Sequence, residues 1–193
     1  EYCAQHAGEI RSMVAAERSK LFSARGTNVV LRLEHVSGTT QSSIPVFNLR
    51  LKKDTVWTIT PYHSVVEPRL SVKIPSSYVV PQLLTTVLDL LRRHHIRMEE
   101  ISAKQSVQAE VYTIDSVGVE YIEEDPKPKP YGHWNKTTTL LHAGDMMVRT
   151  DQLQSILITI MLEPESVWGL MGYPDFDTIL KKPGVYPILR VEP

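Results

Sequence analysis

The sequence predicts an α+β fold, with an antiparallel β section followed by an α+β unit. Three observations lead there. Between residues 27 and 66, short runs alternate apolar and polar residues with the period of half-buried strands. From residue 71 onward, strand-like runs alternate with two apolar-striped helical segments. A composition of 42% apolar and 22% charged residues over 193 positions supplies a core and is unlike that of a disordered chain.

The elements follow in order. "EYCAQHAGEIRSMVAAERSKLF" reads as a helix, with Ile10, Met13, Val14 and Leu21 near helical spacing and Gly26 ending it. It reads as a helix entered midway, so residues 1–26 are expected to trail from an upstream domain. The stripe needs a cover, either the small β section or a neighbouring domain. In "NVVLRLEH", Val29, Leu31 and Leu33 share a side; in "VFNLRLKK", Phe47, Leu49 and Leu51 do; "TVWTITPY" is a third strand. "VSGTTQSSIP" links the first two as a Ser/Thr/Gly loop. "LSVKIPSSYVV" is strand-like. Pro81 is placed in a first helical turn, and Leu83, Leu84, Val87, Leu88 and Leu91 then stripe a helix to about His94. "IRMEEIS" is a short strand or its approach, and "VQAEVYTIDSVGVEYI" is a long β segment bent near Gly118. "EEDPKPKPYGHWNK" reads as an extended polyproline-like loop, and "TTTLLHAGDMMVRT" as a hairpin about Ala143-Gly144-Asp145. A helix capped by Thr150 or Asp151 buries Leu153, Ile156, Leu157, Ile160 and Met161, and Pro164 stops it. "GVYPILRV" closes the chain as a strand. "SYVVPQLLTTVLDLL" and "DMMVRTDQLQSILITIML" repeat one strand-then-helix pattern, the order of a ferredoxin-like βαββαβ unit. The division is therefore 1–26, then 27–193, comprising a β section at 27–70 and an α+β unit at 71–193.

A net charge of −1 offers no basic surplus for nucleic acid. No apolar run approaches the ~18 residues of a membrane span; Ile156 to Leu162 is far shorter. The single cysteine, Cys3, permits neither an internal disulfide nor a cysteine-based zinc cluster.

Seven histidines raise the question of metal. His6 and Glu9 match the His-x-x-Glu spacing of zinc ligands, with His133 far downstream as a third group. They lie on an exposed helix rather than after a buried strand, so the pair is disfavoured and no metal ligand is assigned. In "HSVVE", His63 and Glu67 have the wrong spacing and Pro68 follows at once. "RRHHIR" is the basic last turn of a helix. No Gly-x-Ser-x-Gly elbow or Gly-rich phosphate loop occurs, and no catalytic or cofactor-binding residue is assigned. The carboxylates of "YIEEDP" and "LEPES" read as solvated. Tyr131, His133, Trp134 and Trp168 remain as contact candidates, because "PYGHW", together with Trp168 and Tyr173, has the aromatic content of a groove or domain edge.

"VRTDQLQSILITIMLEPESVWGL" resembles the C-terminal segment of a bacterial subgroup of zinc metallocarboxypeptidases, the M14 peptidase superfamily. In that family an Ala-Gly-Asp-like turn leads to Asp-Gln, an apolar helix and Leu-Glu-Pro-Glu-Ser. Here the matching residues are Ala143, Gly144, Asp145, Asp151, Gln152, Leu162, Glu163, Pro164, Glu165 and Ser166. "SSYVVPQLLTTVLDLLRRHHIRMEEI", "VQAEVYTI", "YGH" and "VYPILRV" are similar to further family segments in the same order. The sequence departs from the family at His95, where the helix-ending turn usually has Gly, and after Ser166. The resemblance implies a bacterial parent hydrolase that acts in proteolysis outside the cytoplasm, secreted or periplasmic. Its zinc, catalytic residues and peptide substrate belong to a catalytic domain upstream of Glu1. This chain is then a non-catalytic accessory domain, inactive alone, partnered by that catalytic domain, without nucleic acid or a membrane span. The alternative is a stand-alone peptide- or glycan-binding module, with a concave aromatic groove.

Overall fold

A computed structural model of the chain describes residues 1–36, 42–59, 63, 65–122, 124–176 and 184–191. It begins with helices α1 (Tyr2–Gln5) and α2 (Ala7–Phe22), neither of which buries a residue. Ile10, Met13 and Val14 are 39%, 62% and 44% exposed, so the β section does not cover the stripe. The positions that would carry this face on from Val14 hold Glu17 and Arg18, which favour water.

Strands β1 (Asn28–Val36), β2 (Ser42–Asn48), β3 (Lys53–Ile59) and β4 (Val65–Lys73) follow. β1 pairs with β4 and β2 with β3, both antiparallel. Val36 lies opposite Val65 and Ser42 opposite Ile59, so the two pairs keep one register, as outer and inner halves of a hairpin. The sequence carries the second strand through Lys53, but the structure ends it at Asn48. The Asn48 Oδ1 accepts the backbone N–H groups of Arg50 (3.0 Å) and Leu51 (2.9 Å), an Asx turn that competes with strand extension. The hairpin base packs through Val29, Leu31 and Ile74 on Ala24 and Ile160.

The rest of the chain builds one sheet with helices on one face. Its elements are β5 (Ser77–Val80), α3 (Thr85–Arg93), β6 (Glu99–Glu100), β7 (Gln105–Ile122), β8 (Asp125–Leu141), β9 (Met146–Arg149), α4 (Ser155–Leu162), β10 (Gly184–Val185) and β11 (Leu189–Val191). The strand order is β8-β7-β11-β5-β9-β6, antiparallel at every step, with β10 also on β7. Tyr78, Val80, Tyr112, Ile114 and Val148 point toward α3 and α4, meeting Val87, Leu91, Ile158 and Leu162 in the main core. The alternate residues Val79, Leu141 and Met147 pack with Ile101 on the other face. The repeated strand–helix pattern is thus realised as β5–α3 and β9–α4, whose strands pair directly. α3 is closed by His95, two residues past its last helical residue, with φ 54°. Ile96 N–H reaches the Leu91 carbonyl (3.1 Å) and His95 N–H that of Arg92 (2.9 Å), a Schellman cap in which His stands where Gly is usual.

Several local expectations are corrected. The "PKPKP" stretch is strand, not loop: Pro126, Pro128 and Pro130 lie in β8 opposite Tyr121, Val119 and Val117. β8 is an edge strand, where alternate N–H groups point to solvent, and proline at every second position removes donors from the side that needs none. The long segment β7 is irregular at Asp115, between Ile114 and Ser116, rather than at Gly118. Opposite that irregularity, a Cβ on Gly132 would lie 2.0 Å from the Thr113 carbonyl oxygen, so the close approach requires glycine. "TTTLLHAGDMMVRT" is no hairpin, because β8 pairs with β7 while β9 crosses to β5 and β6. The turn between them is tied down by the buried Asp145, which accepts the N–H groups of Gln82 (3.1 Å) and His142 (2.9 Å). Pro81 precedes α3 by a separate turn, and Leu83 is 86% exposed, off the stripe. The closing strand is two pieces, β10 and β11, separated around Pro187.

α4 also differs from expectation. It starts after Gln154, without a side-chain cap; Asp151 instead grips Arg149, with Nη2 2.7 Å from Oδ2. The buried positions are Ser155, Ile158, Thr159, Met161 and Leu162, whereas Leu153 and Ile156 are 37% and 41% exposed. The run from Ile156 to Leu162 is apolar on nearly every side, so its periodicity carries no face preference. The two hydroxyl residues go inward, Thr159 donating to the Ser155 carbonyl at 3.0 Å.

Candidate functional site

α4 stops because Pro164 cannot continue it. Glu163, the residue before that proline, turns extended with ψ 126° and carries its side chain inward, to 1% exposure. There the Tyr78 hydroxyl donates to Oε1 at 2.6 Å, and Arg190 from β11 donates to the same oxygen through Nε at 2.7 Å. Arg190 Nη2 donates to Oε2, completing a two-point fork. Nη1 lies 3.4 Å from Glu110 Oε2, and the guanidinium stacks 3.8 Å from the centre of the Trp134 ring. The Tyr186 hydroxyl caps the Leu162 carbonyl at 3.1 Å. Burial opposes the charge on Arg190, but the Glu163 carboxylate more than compensates and holds its pKa above the ordinary value. Burial and then the Glu163 charge push the phenols of Tyr78 and Tyr186 up.

The second acid of the same motif sits differently. Glu165 is half-buried, and desolvation raises its pKa despite the nearby Arg32, with the Glu163 charge adding to the rise. Arg32 donates through Nε to the Glu165 carbonyl at 2.7 Å and through Nη1 to the Glu120 carboxylate at 2.5 Å, tying β1 to the end of α4 and to β7. The Tyr112 hydroxyl is buried without a well-formed hydrogen bond; burial, then the charge of Glu165, push its pKa up. The "LEPES" carboxylates are therefore not both solvated: Glu163 joins the end of α4 to β5 and β11 at a charged centre. Such a centre perturbs pKa values for structural reasons. Its signals in the sequence are an acid directly after an eight-residue buried helix and one arginine inside "ILRV".

The contact candidates are not brought together. Strand alternation puts His133 and Trp134 on opposite faces of β8. His133 faces solvent and pairs with Asp115, Nδ1 to Oδ2 at 3.0 Å. Trp134 turns into the core, edge-on to Tyr112 at 5.1 Å. Tyr131 stays 49% exposed, with the Lys129 ammonium 5.6 Å from its ring. Trp168 lies elsewhere, after α4. His6 Nδ1 and Glu9 Oε2 are 3.3 Å apart on the exposed first helices. Among the described residues no group of three His, Cys, Asp or Glu is placed to hold a metal ion.

Among the described residues, two apolar surfaces bear on function. One is a cleft of about 480 Å³ between α3, α4 and the 168–176 segment, walled by Leu90, Leu157, Ile160, Trp168 and Phe176, with Arg93, His94 and Asp175 also lining it. The other is the inner hairpin. Ile44 pairs with Trp57 on one face, while Val56 and Phe47 belong to the other. All four are exposed, Trp57 by 62% and Phe47 by 57%. Compared with known proteins, the chain matches no family model, no curated protein and no solved structure.

Proposed function

We propose that this chain is the non-catalytic C-terminal accessory domain of a zinc-dependent, carboxypeptidase-like hydrolase, and that it braces the catalytic domain through the β2–β3 hairpin and helix α2. The observation that carries this reading is the hairpin's apolar exposure on both faces. A two-stranded hairpin alone is marginally stable in water, and a contiguous exposed apolar surface marks a contact site. Ile10, Met13 and Val14 on α2 add a second uncovered surface. The occupant is the catalytic domain of the same polypeptide, which supplies the zinc and acts on a peptide outside the cytoplasm. Inter-domain contacts of this kind bury about 600–1,500 Å². The finer fold belongs to the same reading. β5–α3–β6 and β9–α4–β11 form a ferredoxin-like βαββαβ unit, interrupted between its second and third strands by the β7–β8 hairpin. The order β11-β5-β9-β6 supports it.

The test is the parent enzyme carrying Phe47→Ser and Trp57→Ser together, beside a parent lacking residues 27–193. Bracing predicts a lower unfolding temperature for the catalytic domain in both, with kcat/KM on short peptides unchanged at low temperature. Unaltered stability and unaltered turnover on short and long peptides in both proteins would overturn the proposal.

A further inference from the structure

We propose that the cleft between α3, α4 and the 168–176 segment binds a free apolar α-amino acid. This stands on the cleft alone and does not depend on the accessory-domain reading. Leu90, Leu157, Ile160 and Phe176 offer an apolar wall, with Trp168, 60% exposed, at its edge. A volume of about 480 Å³ falls in the range of small-ligand pockets, roughly 300–1,000 Å³. The polar lining selects the ligand class. Arg93, His94 and Asp175 have no side-chain hydrogen bond or ion pair among the described residues, although neighbouring Arg92 is paired with Asp89 at 2.6 Å. A guanidinium with a histidine next to it and a carboxylate, all lining one apolar cavity, complement a zwitterion whose side chain is hydrophobic. Arg93, with His94 beside it, takes the carboxylate, Asp175 takes the ammonium, and the apolar wall takes the side chain. A sugar or a nucleotide would need more polar lining than this cleft has.

The experiment follows Trp168 fluorescence during titration of the chain with L-phenylalanine, with Trp168→Phe assigning the signal among the three tryptophans. N-acetyl-L-phenylalanine removes the ammonium and L-phenylalanine amide removes the carboxylate. Each analogue should bind at least about tenfold more weakly, the effect of losing one charge-assisted hydrogen bond. Arg93→Glu should abolish phenylalanine binding, and Asp175→Lys should do the same. Both positions are exposed, and an unchanged urea midpoint shows that each variant is folded. Equal affinity for all three compounds would make the cleft merely an apolar patch and would overturn the proposal. Absence of saturable binding, or phenylalanine binding that survives both charge reversals, would overturn it as well.

Discussion

Replacing Glu163 by glutamine keeps the shape of the side chain and removes its charge. Arg190, whose side chain is 11% exposed, is then left with the Glu110 carboxylate at 3.4 Å as its countercharge and with the face of Trp134. Leaving one partner of a buried pair uncompensated costs about 3–5 kcal/mol. Glutamine can still accept one hydrogen bond from Tyr78 or Arg190, which places Glu163→Gln near the lower end, about 3 kcal/mol. Glu110→Gln removes a longer contact from a carboxylate that is 18% exposed and should cost about 1 kcal/mol or less. Urea unfolding followed by far-ultraviolet circular dichroism separates the two. With a slope of about 1–3 kcal/mol per molar, Glu163→Gln should lower the midpoint by roughly 1–3 M. The double replacement Glu163→Leu with Arg190→Met should be more stable than either single change, because no lone charge remains buried. If Glu163→Gln lowers the midpoint no more than Glu110→Gln does, the charged centre is not what locks β5, β11 and the end of α4 together.

Two further outcomes follow from the same structure. Burial raises the folded-state pKa of Glu165, so its protonated form favours folding. That contribution is complete below the unfolded carboxyl value and is lost as pH rises through the folded value. Glu165→Gln should therefore gain on the wild type as pH rises from acid to neutral, with the difference vanishing in acid; a difference independent of pH in paired urea titrations would refute the assignment. In α4, Ile158→Ala removes a side chain with no exposure and should cost about 2–5 kcal/mol. Ile156→Ala, at a position 41% exposed, should stay within about 0.5 kcal/mol, and equal midpoints for the two would show that α4 presents a different face.

Local chemistry was legible in the sequence wherever one residue type has one physical use. Pro164 ends α4, and alternating apolar and polar residues mark β1 as a strand. The α+β class and the strand–helix repeat emerge from the same local signals. The partners of these elements were not legible, because pairing depends on residues far apart in the chain. Ala143-Gly144-Asp145 has the composition of a hairpin turn, yet β8 and β9 separate there, since each finds its ladder elsewhere. The prolines of β8 suggest a loop until the edge position of that strand makes their missing donors harmless. For α4 the apolar run is complete on nearly every side, and only the sheet beneath it selects Ile158 over Ile156. Glu163 is the sharpest case. By itself a glutamate before a proline belongs in water; what holds it inside is Arg190, 27 residues later, and Tyr78, 85 residues earlier. A charge can be buried only where a countercharge and hydrogen-bond donors are already in place, and tertiary structure alone brings those three residues to one point.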